Sequence, residues 1–156
     1  MSAKAVIRMP GEGKEVTLAG KPMTFLVTGE DTKHTSMFDW TLPPGLSTGL
    51  HVHHVQEETF YVLEGEFSIA GADHNNQVVQ AGDTVHIPAD EPHGYRNVGA
   101  STGRFLAILA PADLDDFFRE LGTPAPGATA PTPLAGPPDI DRLRAVTARH
   151  KVEMLP

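Results

Sequence analysis

The chain has 156 residues, enough to bury one modest core, and its Gly 15 and Pro 14 make about a fifth of it, which argues against a helix bundle and for a turn-rich, all-β protein. Its 12 Lys and Arg stand against 20 Asp and Glu, and a net charge of -8 disfavours a general nucleic-acid or anionic-membrane surface. With 8 His and 0 Cys, disulfide scaffolds, thiolate zinc sites and cysteine nucleophiles are excluded, and imidazole and carboxylate remain for site chemistry.

The first residues hold no signal-peptide core, because the apolar stretch Ala5-Val6-Ile7 is broken by Arg8. The longest apolar run is the six residues 105–110, too short to span a bilayer, so a cytoplasmic protein is expected. From residue 16 to residue 110, short apolar or alternating runs are cut by turn residues. Residues 25–27 stop at Thr28-Gly29-Glu30-Asp31, and 37–42 alternate around Phe38, Trp40 and Leu42 before Pro43-Pro44-Gly45. Residues 59–63 stop at Glu64-Gly65, 78–79 at Gly82-Asp83, 85–87 at Pro88, and 104–109 before Pro111. Many short strands at this spacing predict a sandwich or barrel. About twenty residues precede them, too few for a helix-turn-helix.

Two helices are expected after the strands. Residues 111–121 place Leu114, Phe117, Phe118 and Leu121 on one face, with Pro111 in the first turn, aspartates early and Gly122 to cap the end. Residues 139–149 place Ile140, Leu143 and Val146 on one side, a short amphipathic helix that needs a docking surface. Between them, 122–138 is Pro-, Ala-, Gly- and Thr-rich and reads as an extended linker. The chain thus divides into a barrel with its following helix at 1–121, a linker at 122–138, and a C-terminal helix and tail at 139–156.

The densest signal is Gly45-x5-His51-x-His53-x4-Glu58-x6-Gly65. Residues two apart share a face of a strand, so His51 and His53 project side by side while Val52 and His54 face away. Residues 54–57 allow a tight reversal, and Glu58 returns to the same side with Phe60 and Val62. A second segment, Gly82-x5-Pro88-x-Asp90-x2-His93-x3-Asn97, puts His93, Tyr95 and Asn97 on one face. Three imidazoles and one carboxylate brought together inside a barrel make a site for a divalent transition metal.

These segments resemble the two motifs of the cupin superfamily. The first fits at Gly45, His51, His53, Glu58 and Gly65, and the second at Gly82, Pro88, His93 and Asn97. The second departs at Asp90, where the pattern usually has Gly, although Asp tolerates tight-turn backbone. The resemblance spans roughly residues 23–121 and has one copy of each motif, the mark of a monocupin. It implies a small double-stranded β-helix, or jelly-roll, barrel with metal ligands at His51, His53, Glu58 and His93. One divalent metal is implied, among Mn, Fe, Co, Ni, Cu and Zn. In an octahedral shell, two positions would remain for water, substrate or dioxygen. Binding requires neutral imidazoles, so affinity is expected to fall below about pH 6.

Residues 25–32, 58–66 and 117–122 further resemble monocupins grouped with quercetin 2,3-dioxygenase. In that group a flavonol binds the metal through its deprotonated 3-hydroxyl and reacts with dioxygen, releasing carbon monoxide. Glu58 would be both ligand and general base. Tyr95, on the face of His93, is the second catalytic candidate, its hydroxyl within reach of a bound ligand. Two other classes stay open: a non-oxidative metal-dependent isomerase, lyase or cyclase of secondary metabolism, and a small-molecule binding module. The partners expected are a small-molecule substrate, dioxygen and a second copy in a homodimer, with no nucleic acid and no membrane. Phe38, Trp40 and Leu42 read as a core stripe, Glu57 and His54 as solvated, and His86 as facing away from the site. His34, His74 and His150 read as surface.

Overall fold

The alternation read in the sequence becomes strand pairing throughout. The structure is a computed structural model that describes residues 4–18, 21–73, 75–124 and 140–156. Its elements are β1 (Lys14–Leu18), β2 (Lys21–Val27), β3 (Ser36–Leu42), β4 (His51–His53), β5 (Glu57–Glu64), β6 (Glu66–Gly71), β7 (Asn76–Gln80), β8 (Thr84–Ile87), β9 (His93–Asn97), β10 (Gly103–Ala110), α1 (Asp115–Leu121), β11 (Thr123–Pro124), α2 (Ile140–Arg149) and β12 (Val152–Met154). Every expected apolar run lies inside one of these strands. Two sheets form, with strand orders β11-β1-β2-β3-β10-β5-β8 and β12-β4-β9-β6-β7. All the strand pairs are antiparallel.

The inner faces of the sheets make one core. Ser36, Phe38, Trp40 and Leu42 alternate inward along β3, and Phe105, Ala107 and Leu109 along β10. Register sets Trp40 opposite Phe105 and Phe38 opposite Ala107. Edge-to-face aromatic pairs knit the layers, with ring centroids 4.9 Å apart for Phe60–Phe105 and 5.1 Å for Phe25–Phe38. Between β5 and β6 the turn depends on Gly65. Its φ is +86° and a Cβ there would stand 2.9 Å from the Gly103 Cα.

The C-terminal part departs from expectation at several points. The helix expected over 111–121 begins at Asp115, because the residues before it are tied to the β2–β3 loop. There the Ala112 N–H donates to Lys33 O at 3.4 Å, while the Asp115 carboxylate accepts from the Gly29 N–H and the Ser36 hydroxyl. Gly122 does follow that helix, but with extended backbone at φ -79°; glycine is needed because a Cβ would meet the Val16 side chain at 2.7 Å. His150 is no free surface residue, since its Nε2 lies 3.0 Å from Glu120 Oε1 and its ring packs on Phe117. His34 and His86 are exposed, and His86 Nδ1 lies 2.9 Å from the Thr59 hydroxyl. Of the expected linker, Thr123–Pro124 pairs with β1 as β11. Residues 125–138, Asp139 and His74 lie outside the described residues.

The expected C-terminal helix is present and docked. Val146 is buried, and Arg142 donates to the Glu120 carbonyl of α1. Arg149 and His150 both pair with the Glu120 carboxylate. After it comes β12, which the sequence reading treated as tail. No helix among the described residues is long and apolar enough to cross a membrane.

Candidate metal centre

Both sheets contribute to the site. β4 carries His51 and His53, and β9 pairs beside it with His51 opposite His93. From the other sheet, β5 turns Glu58, Phe60 and Val62 inward by strict alternation. The four side chains meet in the interior, each no more than 7% exposed. Their ligand-competent atoms all lie within 4.8 Å of one another. Glu58 Oε2 is 3.2 Å from His93 Nε2 and 4.0 Å from His53 Nε2. The ring centroids of His51 and His93 are 4.4 Å apart.

Backbone carbonyls fix two of the rings. His51 Nδ1 lies 3.1 Å from Gly49 O and His93 Nδ1 lies 2.9 Å from Glu91 O. A carbonyl only accepts, so both Nδ1 atoms donate, and the lone pair of the neutral ring falls on Nε2, directed at the centre. His53 Nδ1 is buried without a hydrogen-bond partner among the described residues, so no such bond orients this ring. An ion bound at about 2.1 Å keeps its ligand atoms within about 4.2 Å of one another, so a closure of a few tenths of an ångström per ligand suffices. The donor set, three imidazole nitrogens and one carboxylate, suits a divalent first-row transition metal.

Electrostatics follow from burial. Burial, then the charge of His93, pushes His51 down to about 4, against its bond to Gly49. Burial pushes His53 down to about 3, helped by the charges of His51, His93 and His54. For His93 burial acts downward, but the hydrogen bond and charge of Glu58, together with the backbone bond and charge of Glu91, outweigh it and hold its pKa above the ordinary value. The Tyr95 phenol is raised well above its ordinary value by burial and then by the Glu58 charge, so it keeps its proton.

Above the centre opens a cavity of about 290 Å³. His51, His53, Glu58 and Tyr95 line it together with apolar walls that include Trp40, Leu46 and Phe118. No lysine or arginine is among the described lining residues. Tyr95 lines the same cavity as the histidines, and Trp40 is both core and cavity wall. Glu57 and His54 are exposed, as expected, with His54 held between Asp90 at 2.8 Å and Glu153 at 2.9 Å. Asp90 has φ +66°, the conformation the usual Gly would adopt. The sequence reading missed the carbonyls of Gly49 and Glu91, which no side-chain pattern marks. Leu143, Thr147, Val152 and Met154, which lie far from the motifs, also line the cavity.

The sequence matches the family described as "Cupin domain" over residues 38–109. It is 35% identical over 81 residues to the quercetin 2,3-dioxygenase of Bacillus subtilis, covering 52% of this chain and 23% of that protein. It is 38% identical over 71 residues to the oxalate-binding protein of Thermotoga maritima, covering 44% of this chain and 55% of that protein. The chain therefore spans less than two thirds of the length of these curated relatives. Among solved structures, the polyketide cyclase RemF from Streptomyces resistomycificus is 25% identical with a TM-score of 0.61, covering 70% of this chain and 81% of that one.

Proposed function

The chain belongs to the cupin superfamily through the domain at residues 38–109, and from that premise we propose that it is a metal-dependent dioxygenase acting on an aromatic or enolisable small molecule. One observation carries the reading: three imidazoles and a carboxylate converge in the interior, and His51, His53 and Glu58 of that group line a largely apolar cavity. His51, His53, Glu58 and His93 would hold one divalent metal. When bound, the metal would act as a Lewis acid that stabilises a substrate oxyanion and offers a place for dioxygen.

The protein's own groups do the rest. Glu58 doubles as general base, since a buried carboxylate within reach of an acidic enol takes its proton as the oxyanion is captured. Tyr95, kept protonated, donates a hydrogen bond to a substrate oxygen. The apolar walls hold the ring system and exclude water. Because no cationic side chain lines the described cavity, a divalent ion with the Glu58 carboxylate would leave one net positive charge, which a molecule with a single ionised oxygen balances and a dianionic acid exceeds. The likeness to a quercetin dioxygenase supports this reading.

A second reading is a non-oxidative cyclase or isomerase on the same ligands, favoured by the likeness to a polyketide cyclase over 81% of its length. A binding module is the third, by likeness to an oxalate-binding protein. Turnover separates the three. The metal-loaded protein should take up oxygen with a flavonol, and a chelator should abolish the uptake. Anaerobic turnover at the same rate favours the second reading, and binding without turnover the third. Glu58→Gln should keep some metal through the histidines and lose most turnover; a wild-type rate removes the general-base role. The same reading makes the protein cytoplasmic and homodimeric, and a light-scattering mass equal to the single 16.7 kDa chain would exclude the dimer.

A further inference from the structure

The C-terminal arm lies outside the matched domain, yet it walls the cavity. Residues 140–156 follow the domain boundary at residue 109. Four of them, Leu143 and Thr147 of α2 and Val152 and Met154 of β12, line the cavity together with His51 and His53. The arm is fastened at both ends. β12 pairs with the strand that carries the candidate ligands, setting Met154 opposite His51 and Val152 opposite His53. α2 is tied to α1 through Glu120, which receives Arg142 at its carbonyl and Arg149 and His150 at its carboxylate. Thr147 is 3% exposed, and its hydroxyl donates to Arg144 O, so it offers the cavity a settled, largely apolar surface.

We propose that this arm is the specificity-determining wall of the site, with Leu143 setting how far a ligand's apolar end can extend from the metal centre. The inference rests on the cavity reading above and deepens it. The floor supplies chemistry from the barrel strands, while the arm supplies the size limit. A ligand anchored at the floor by an oxygen reaches Leu143 only if it carries a second ring system beyond the anchoring ring. Short enols therefore bind without reaching Leu143, and extended planar aromatics pack against it.

The test uses the full chain and its sole tryptophan, Trp40, as a reporter, because Trp40 lines the same cavity. Metal-free protein is titrated with flavone, a ligand lacking the enol, and binding is read by quenching of Trp40 fluorescence. Nickel-loaded protein is titrated with 3-hydroxyflavone and with maltol, a single-ring enol. Leu143→Phe should weaken flavone and 3-hydroxyflavone at least tenfold while leaving maltol affinity and nickel stoichiometry within twofold. Leu143→Ala, which only opens space, should leave maltol unchanged and change the two larger ligands in preference to it. Circular dichroism checks that both variants fold. Equal effects on maltol and the flavones, no effect on either, or no flavone binding to the wild type would each overturn the proposal. If the wild type takes up no nickel, the metal reading fails, and the metal-free flavone titration still decides whether the arm is the wall.

Discussion

At the scale of single residues, the site is a contest between burial and pairing. His51 and His53 have lost the contest for a proton, with values of about 4 and 3, so they stand ready as neutral ligands at any physiological pH. His93 keeps its proton longer because Glu58 faces it at 3.2 Å. Metal binding must then displace that one proton. With a folded pKa above 6.5, His93 makes the affinity climb about tenfold per pH unit while it is protonated and level off once it is neutral. The loss on acidification therefore sets in above the pH 6 expected from free histidine, and it steepens only near pH 4 as His51 joins. A chelator-competition titration from pH 8 to pH 5 reads this directly, and an affinity that stays flat contradicts the ligand assignment. Asp90 offers a second residue-scale test. At φ +66° it stands in the left-handed region, where an ordinary side chain costs about 1–2 kcal/mol. Asp90→Ala should lower stability by about 1 kcal/mol, and Asp90→Gly should stay near the wild type. Equal losses in denaturant titrations would instead assign the effect to the exposed Asp90–His54 pair.

Elements explain which parts of the site were legible. His51, His53 and Glu58 were readable because strand alternation places i and i+2 on one face, and the short connection at 54–56 brings β5 back with Glu58 facing the same interior. His93 and Tyr95 followed by the same rule in β9, where both are buried. The central strands of the core were readable for the same reason, since Phe38, Trp40 and Leu42 repeat every second residue. β12 was not. Three residues carry no period, and their partner strand lies about a hundred positions earlier, as the |i−j| of 99 for the His54–Glu153 pair records. Only tertiary pairing makes Val152–Met154 a strand. The start of α1 was misplaced for a related reason: Pro111 suits a first turn locally, but the loop at 29–33 claims residues 112 and 115 through its own hydrogen bonds. Because β12 depends on packing, its anchor should be sensitive. Val152 is 4% exposed, and Val152→Ala should cost about 2 kcal/mol in a denaturant titration, with metal affinity lowered as well because β12 braces the His51–His53 strand. A loss under about 0.5 kcal/mol would mean that β12 adds little to the fold.

At the scale of the whole molecule, the centre is a junction between sheets. Glu58 comes from the seven-stranded sheet and the three histidines from the five-stranded one, so one ion would tie the two layers together at their junction. In the unfolded chain, His51 and His93 are 42 positions apart in sequence and form no preset site, so the ion binds the folded state almost alone. A ligand present at a hundred times its Kd then stabilises the fold by about 2.7 kcal/mol. For a chain of this length, each kcal/mol moves the Tm by about 2–4 °C, so loading with the preferred ion should raise the Tm by about 5–10 °C. Excess chelator should return it to the metal-free value. The Tm of His51→Ala should not respond to the ion, because the remaining three groups bind too weakly at the same concentration. Scanning Mn, Fe, Co, Ni, Cu and Zn by differential scanning fluorimetry ranks the ions by this shift, and a folded wild type whose Tm none of them moves would remove the metal from the site.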